Sequence, residues 1–196
     1  MKNNSGYSYE GSDELEIYLE DAKNIYIIEN FISSEDLCEI NDFINLGTFV
    51  NSDYSGHEFP LGALDFSPYE NLLRKIHAYR DKMTDILEKT FDCIMEKAEI
   101  DGLTRYAVGD KLNEHADKIC VSWRDLSTVL YYNDAYEGGE LFFSQYDLTF
   151  RPKAGSLIYF PAGGNYAHGV TTVNSGVRYV TSTFWKVKKW NSIQYS

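Results

Sequence analysis

The feature that most constrains the fold is a series of short strand-like segments that begins at about residue 103. Runs rich in β-branched and aromatic residues alternate with turn residues, in the order LTRYAV, STVLYYN, ELFF, LTF, SLIYF, HGVTTV and VRYVTSTFWKV. The turn signals between them are YEGGE, RPKAGS, FPAGGNY and VNSG. Many short strands with regular turns are typical of a β sandwich or of a barrel-like pair of sheets.

The first half of the chain predicts helices beside this β core. After a first strand in NIYIIENF, the segment SSEDLCEINDFINLG predicts a short helix, which Ser33 or Ser34 can cap and Gly47 can end. The longest helix is predicted from SPYENLLRKI, where Ser67 can cap and Pro68 takes the first helical position. Its apolar residues recur every three or four positions and form one stripe: Leu72, Ile76, Tyr79, Met83 and Ile86. We expect this stripe to pack against the domain's own sheet and not against a partner helix in a coiled coil.

The length of 196 residues fits one domain. Residues 1–20 are polar and acidic and predict a flexible N-terminal tail, so the domain is expected over 21–196. Within it we expect helical support over 30–100 and the β core over about 103–187. The segment 48–66 is long for a structureless connection, and it is either a lid or a surface excursion without a role.

Charge and composition narrow the partners and the compartment. The net charge of −12 argues against nucleic acid or an anionic membrane, because both favour a basic surface. No apolar run forms a signal peptide or approaches the roughly 20 residues of a membrane span. Cys38, Cys93 and Cys120 show no C-x-x-C spacing. We expect these cysteines to be small buried hydrophobic residues of a protein in a reducing compartment. These features predict a soluble, cytoplasmic protein.

The four histidines differ in their surroundings. His57 lies in the loop NSDYSGHEFP and His77 on the solvated edge of the long helix, and neither is expected to have a functional role. His115 and Asp117 stand two positions apart in NEHADK, and on an extended segment such residues face the same side. His168 follows FPAGGNYA and opens HGVTTV, where a strand is predicted to begin.

Two histidines and one carboxylate from separate strands predict a metal site at His115, Asp117 and His168. This set forms the facial triad that holds non-haem Fe(II) and leaves coordination positions open. A zinc hydrolase can use the same residue types with a water molecule in the fourth position. The three ligands alone do not choose between these two metals.

A predicted buried arginine favours iron. In VRYVTSTFW, strand alternation places Arg178 on one face with Val180, Ser182 and Phe184, and Tyr131 in STVLYYN lies on another inward-facing strand. A buried guanidinium needs an anionic partner, because an unpaired buried charge is very costly. No acidic residue shares the predicted inward face of either strand, which favours the carboxylate of a cosubstrate held in two-pronged fashion.

The order of these motifs resembles the Fe(II)- and 2-oxoglutarate-dependent oxygenases, and within them the prolyl hydroxylase-like branch. The resemblance covers roughly residues 104–187, in the order RYAVGD, HAD, RDLSTVLYYND, EGGELFF, PKAGSLIYF, HGV and VRYVTSTFW. The opening IYIIENFISSEDLCEINDFI also resembles the strand and helix with which that branch usually begins.

The resemblance implies a mainly β fold with N-terminal helices, of the α+β class, built on a double-stranded β-helix or jelly-roll core. It implies His115, Asp117 and His168 as the ligands of Fe(II). It therefore agrees with the metal site that the residues themselves predict, and it selects iron.

The resemblance also implies roles around the metal. Arg178 corresponds to the basic residue that pairs with the far carboxylate of 2-oxoglutarate, and Tyr131 and Tyr106 to tyrosines that hydrogen-bond the same cosubstrate. Arg124, seven residues before Tyr131, falls where prolyl hydroxylases often keep an arginine that faces the substrate. Many of them carry a tyrosine three residues before the first metal histidine, where this chain has Leu112. That departure weakens the identification of proline as the substrate.

The function implied by the resemblance is hydroxylation of an unactivated C–H bond, coupled to decarboxylation of 2-oxoglutarate by dioxygen. Succinate and carbon dioxide would be the coproducts, with ascorbate as a reductant. A prolyl residue in a protein or peptide is the leading expected substrate, and free proline or another small amino acid is the alternative. Alkylated nucleic acid is disfavoured by the net charge. A rival of another class is a non-catalytic β-helix module that binds a partner.

Overall fold

The structure, a computed structural model, describes residues 15–18, 24–46, 50–51, 57–59 and 70–191. Its α-helices are α1 (Ser34–Leu46), α2 (Glu70–Phe91) and the short α3 (Asp117–Cys120). The strands of the first half are β1 (Leu15–Tyr18), β2 (Tyr26–Glu29), β3 (Val50–Asn51), β4 (His57–Phe59) and β5 (Cys93–Tyr106). Those of the second half are β6 (Leu112–His115), β7 (Leu126–Tyr131), β8 (Tyr136–Gly138), β9 (Leu141–Phe143), β10 (Leu148–Phe150), β11 (Leu157–Pro161), β12 (His168–Val170), β13 (Val173–Gly176) and β14 (Arg178–Trp190).

The described strands form a large and a small antiparallel sheet. The large sheet has eight strands in the order β1-β2-β11-β7-β14-β5-β4-β3, and the small sheet has four in the order β10-β9-β12-β6. A separate pair joins β13 to β8. The non-consecutive neighbours in both sheets are the arrangement of a jelly roll. The expected class, mainly β with N-terminal helices around a jelly-roll core, is confirmed.

The two faces of the large sheet bury different sets of side chains. On β7, Leu126 and Leu130 join a core with α1 and α2, while Val129 and Tyr131 join a second core with the small sheet. This division follows from strand geometry, because successive side chains point to opposite faces. The helices therefore cover one face of the large sheet, and the other face is available for a site between the sheets.

The two long helices agree with the sequence prediction where they are described. Ser33 caps α1, since its Oγ accepts a hydrogen bond from the backbone N–H of Asp36 at 3.1 Å. Leu72 and Met83 of the predicted stripe on α2 are buried, and Ile76, Tyr79 and Ile86 pack against the same core. The predicted cap at Ser67 and stop at Gly47 lie outside the described residues. No described helix combines the length and the apolar character that crossing a membrane requires.

Two predicted boundaries were wrong in detail. The strand β1 lies within the expected 1–20 tail, because the LEIY segment pairs antiparallel with β2, Leu15 opposite Glu29. Helical support was expected to residue 100, but α2 ends at Phe91 and Asp92 adopts a left-handed conformation with φ 48°. From Cys93 the chain pairs antiparallel with β14, with Cys93 opposite Trp190 and Tyr106 opposite Arg178. This segment is therefore a strand and not part of the helical support.

The 48–66 segment, expected to be either a lid or a surface excursion, contains two short strands. Backbone pairing joins β3 to β4 and β4 to β5, with His57 opposite Arg105. His57 thus lies in a strand and not in a loop. The remaining residues of the segment lie outside the described part of the chain, so its proposed role as a lid stays a prediction.

The cysteines were expected to be buried, and this was wrong for two of them. Cys93 is buried in the core beneath α2, but Cys38 on α1 and Cys120 at the end of α3 are exposed. Cys93 also differs chemically, because burial raises the pKa of its thiol to about 11. Its thiolate is therefore scarce near neutral pH.

We expect alkylation to distinguish the cysteines. At about pH 8, iodoacetamide should modify Cys38 and Cys120 in the folded protein, because both are exposed, whereas Cys93 is buried and its pKa is raised to about 11. Intact mass spectrometry should show two adducts in native buffer and a third only after denaturant is added. A third adduct that forms in native buffer as fast as the first two would contradict the packing of Cys93.

Candidate active site

The three predicted metal ligands meet at one edge of the small sheet. His115 ends β6, Ala116 is extended with φ −117° and ψ 129°, and Asp117 begins α3. His168 opens β12, which pairs with β6 so that His168 lies directly opposite His115. The extended Ala116 explains why residues two apart face the same side although Asp117 is already helical.

The ligand atoms of the triad are within bonding reach of a single ion. His115 Nε2 lies 3.2 Å from Asp117 Oδ1, and His168 Nε2 lies 3.7 Å from Asp117 Oδ2. All the ligand atoms of the three residues lie within 4.8 Å of one another. A six-coordinate ion with bonds of about 2.1 Å places adjacent ligand atoms roughly 3 Å apart, so small movements bring these side chains onto one ion.

Backbone carbonyls orient both imidazole rings. Nδ1 of His115 lies 3.0 Å from the carbonyl oxygen of Asn113, and Nδ1 of His168 lies 3.0 Å from that of Tyr166. When each Nδ1–H donates to its carbonyl, Nε2 keeps the lone pair that a metal requires. The sequence could not reveal these partners, because each is a backbone group two residues upstream whose direction depends on local turns.

Ser127 fixes the carboxylate of the triad. Its buried hydroxyl, at the second position of β7, donates a hydrogen bond to Asp117 Oδ2 at 2.6 Å. Sequence reasoning assigned no role to Ser127. The available signal was its place on the inward face of STVLYYN, where it alternates with Val129 and Tyr131.

The electrostatics of the triad favour a carboxylate and a neutral His168. Burial alone would raise the pKa of Asp117, but the hydrogen bond from His115, the charge of His168 and the Ser127 hydroxyl hold it below its usual value. Burial lowers the pKa of His168. Burial would also lower the pKa of His115, yet its contact with Asp117 raises it overall. The ionised acid and neutral imidazole are the forms that bind metal.

Arg178 is buried beside the triad's cavity in the position that strand alternation predicts. It is 1% exposed, its Nη2 donates to the Tyr131 hydroxyl at 3.1 Å, and its Cζ lies 4.7 Å from the ring centre of Tyr106. Its Nε and Nη1 have no hydrogen-bond partner. Among the ion pairs of the described residues, none joins a carboxylate to Arg178. The carboxylate of an anionic ligand would supply a charged acceptor to this guanidinium.

The hairpin that carries EGGE shapes the floor below Arg178. Gly139 has φ +66°, and a Cβ there would lie 3.2 Å from Arg178 Cδ and 3.0 Å from Val173 Cγ2. Tyr136 is buried in the same place, close to the guanidinium of Arg178, and burial raises its pKa to about 12. Tyr136 was missed in the sequence analysis, because in DAYEGG this residue only flanks a predicted turn.

A cavity of about 340 Å³ opens over the triad. Its wall includes His115, Asp117, His168, Tyr106, Ser127, Leu112, Arg124, Ser182 and Phe184. The guanidinium carbon of Arg124 lies 3.5 Å above the ring centre of Phe184, and its Nε is buried without a partner. The structure therefore brings Arg124 and Leu112 to the metal cavity. His77 is exposed on α2, apart from it.

Close backbone packing at Gly169 holds the two histidines together. A Cβ at Gly169 would lie 2.7 Å from the backbone oxygen of Leu112 and 2.6 Å from the ring of Phe142. We expect Gly169→Ala to push β6 away from β12, to weaken Mn(II) binding by about tenfold and to destabilise the fold by roughly 1–3 kcal/mol. Calorimetric metal titration and thermal unfolding measure the two effects.

Gly163→Ala is the matched control, since a Cβ at Gly163 would meet nothing within 4 Å. Its metal affinity should equal that of the wild type. Unchanged metal binding in Gly169→Ala would show that β6 and β12 tolerate separation and that their packing does not set the site.

Curated relatives include prolyl hydroxylases. A segment of 62 residues, 29% of this chain, is 42% identical to prolyl 3-hydroxylase 2 of Homo sapiens. The chain covers only 9% of the length of that relative. A PKHD-type hydroxylase of Crocosphaera subtropica is 24% identical over 169 residues, which are 80% of this chain and 75% of that protein.

Solved structures share the fold. The viral collagen prolyl hydroxylase of Paramecium Bursaria Chlorella virus-1, solved with 2-oxoglutarate, matches with a TM-score of 0.60 and 19% identity, over 86% of this chain and 98% of that one. A prolyl hydroxylase from Trichoplax adhaerens, in complex with a hypoxia inducible factor peptide fragment, matches with a TM-score of 0.66 and 16% identity, over 83% of each chain.

The family comparison covers the β core and the whole candidate site. Residues 102–186 match the family model of the 2OG-Fe(II) oxygenase superfamily. That range contains the triad, both tyrosines, Arg124 and Arg178. With the jelly-roll fold and the order of these motifs, the match assigns residues 102–186 to the 2OG-Fe(II) oxygenase superfamily.

Proposed function

We propose that this protein is an Fe(II)- and 2-oxoglutarate-dependent dioxygenase that hydroxylates a prolyl residue in a protein or peptide. The observation that carries the proposal is the pairing of two features in one place. A triad of two histidines and an aspartate lines the cavity together with Tyr106, and the buried guanidinium of Arg178, whose Nε and Nη1 have no hydrogen-bond partner, lies 4.7 Å from the ring centre of Tyr106. The first suits iron, and the second suits the far carboxylate of the cosubstrate.

His115, Asp117 and His168 would hold the iron. The donor set of two imidazole nitrogens and one carboxylate is that of the non-haem Fe(II) oxygenases, and it leaves positions for other ligands. The carbonyls of Asn113 and Tyr166 would keep both rings in the tautomer that binds through Nε2. Bound iron, with 2-oxoglutarate and dioxygen, would supply the oxidising chemistry: one oxygen atom enters the C–H bond of the substrate and the other enters succinate, as carbon dioxide leaves.

Arg178, Tyr131 and Tyr106 would bind and orient 2-oxoglutarate. The Tyr131 hydroxyl receives one N–H of Arg178, so the guanidinium is held in place before the cosubstrate arrives. The face of the Tyr106 ring packs against the guanidinium of Arg178 and limits its movement. A guanidinium fixed in this way loses little conformational freedom when it binds a carboxylate. The buried position excludes water, which strengthens the charge pairing.

The substrate is proposed from the relatives and from the cavity together. The names of the matched proteins point to prolyl residues, and the Trichoplax hydroxylase was solved with a peptide. In this chain Arg124, stacked on Phe184, would face the substrate and offer its Nε–H to a carbonyl oxygen. Leu112 lines the same cavity and supplies an apolar contact where a tyrosine would supply a hydroxyl.

We expect the purified protein to form succinate when it is given Fe(II), 2-oxoglutarate, dioxygen and ascorbate. His115→Ala and Asp117→Ala should each lower the rate at least about a hundredfold, because each removes a ligand of the proposed iron. His77→Ala is the matched control, since it removes an exposed imidazole on α2. Succinate is measured by mass spectrometry. Equal rates in the wild type and both triad variants would exclude the proposed chemistry at this site.

The same assay can identify the substrate class. A panel of proline-containing peptides and free amino acids is added, and each is examined for a mass gain of one oxygen atom. Hydroxylation of a peptide and not of free proline would support the proposal. Hydroxylation of free proline or another small amino acid alone would support the alternative substrate and would leave the oxygenase assignment intact.

A further inference from the structure

The carboxylate of Asp117 accepts a hydrogen bond from β7, a strand of the large sheet. Asp117 is 3% exposed, and its Oδ2 accepts the hydrogen bond from Ser127 Oγ at 2.6 Å. Its other oxygen, Oδ1, lies 3.2 Å from His115 Nε2. Each oxygen of the carboxylate faces a different histidine of the triad, and Oδ2 alone also accepts a hydrogen bond from a residue that is not a metal ligand.

We propose that Ser127 is a positioning residue that keeps Asp117 bound to the metal through a single oxygen. This inference rests on the proposed function, because it concerns the number of metal positions that the cosubstrate and dioxygen need. The hydrogen bond to Oδ2 opposes the rotation of the carboxylate that would bring both oxygens to the ion. The hydroxyl thereby preserves one open position at the site.

The count of positions explains why this restraint matters. An octahedral ion held by three protein ligands has three open positions, and a chelating 2-oxoacid takes two of them. One position then remains. If the carboxylate of Asp117 bound through both oxygens, that last position would be lost. Carboxylates readily bind metal ions through one oxygen or through both, so a further contact is needed to fix one mode.

The location of Ser127 gives the restraint its rigidity. β7 lies between β11 and β14 in the large sheet, and every residue of β7 is buried. Ser127 is paired with Phe160 on one side and Phe184 on the other, so its backbone is held on both sides. A short hydrogen bond to an ionised, buried carboxylate is also among the stronger kinds. Oδ2 has one further polar neighbour, His168 Nε2, at 3.7 Å.

Water proton relaxation by Mn(II) bound to the protein tests the proposal, because it reports water molecules on the metal. In the wild type with 2-oxoglutarate, one water position should remain and relaxation should stay enhanced. In Ser127→Ala with 2-oxoglutarate, the inner-sphere enhancement should be lost. Without 2-oxoglutarate, the same variant should lose about one third of it, as three positions become two. Ser127→Thr restores a hydroxyl and should restore the wild-type signal.

Ser156→Ala is the matched control, since Ser156 is a fully buried serine whose hydroxyl has no hydrogen-bond partner. It should behave as the wild type, and thermal unfolding of every variant confirms that the fold persists. Inner-sphere enhancement in Ser127→Ala equal to that in Ser156→Ala would overturn the proposal while the proposed function stands. A wild type that binds neither Mn(II) nor 2-oxoglutarate would overturn both.

Discussion

The antiparallel pairing of β14 with both β5 and β7 organises the rest of the molecule. Its register places Arg178 opposite Tyr106 on one side and Val180 opposite Tyr131 on the other, which gathers the arginine and both tyrosines on one face. The opposite face of the same strand carries Trp185 into the core beneath the helices, where its Nε1 donates to Thr128 Oγ1 at 3.1 Å. One strand thus joins the helix-covered core to the candidate site. A register shift of one residue would exchange the two faces and move Arg178 out of the site.

The site is built at a cost to the stability of the protein. The guanidinium of Arg178 is fully buried, and within the described part of the chain its Nε and Nη1 have no hydrogen-bond partner. Groups of this kind are expensive to bury, and replacement by apolar side chains is often neutral or stabilising. The proposed cosubstrate would supply the missing acceptor atoms. Its binding would therefore stabilise the folded protein, since a ligand that binds only the native state shifts the unfolding equilibrium.

Period-two alternation and residue type were enough to predict the parts of the site that lie on regular strands. Arg178, Tyr131 and His168 could be placed because their segments are plain strands with clear apolar neighbours. The prediction failed where tertiary contacts decide the outcome. Residues 93–102 form a strand because β14 pairs with this part of β5. Cys38 and Cys120 are exposed because they lie on the solvent-facing sides of α1 and α3. The carbonyls that orient the histidines, and the Ser127 hydroxyl, act across turns and strands that no local pattern specifies. Conversely, the spacing of His115 and Asp117 predicted a shared face correctly because Ala116 is extended.

The central claim is that buried Arg178 is reserved for the far carboxylate of 2-oxoglutarate, and the most direct test varies the ligand and not the protein. Mn(II)-loaded wild type is titrated calorimetrically, without iron or turnover, with 2-oxoglutarate and separately with 2-oxobutanoate, which keeps the metal-chelating 2-oxoacid but lacks the far carboxylate. Because the unsatisfied guanidinium of Arg178 would gain a charged acceptor only from the first ligand, 2-oxoglutarate should bind about a hundredfold more tightly. Equal affinity for the two ligands would contradict the account.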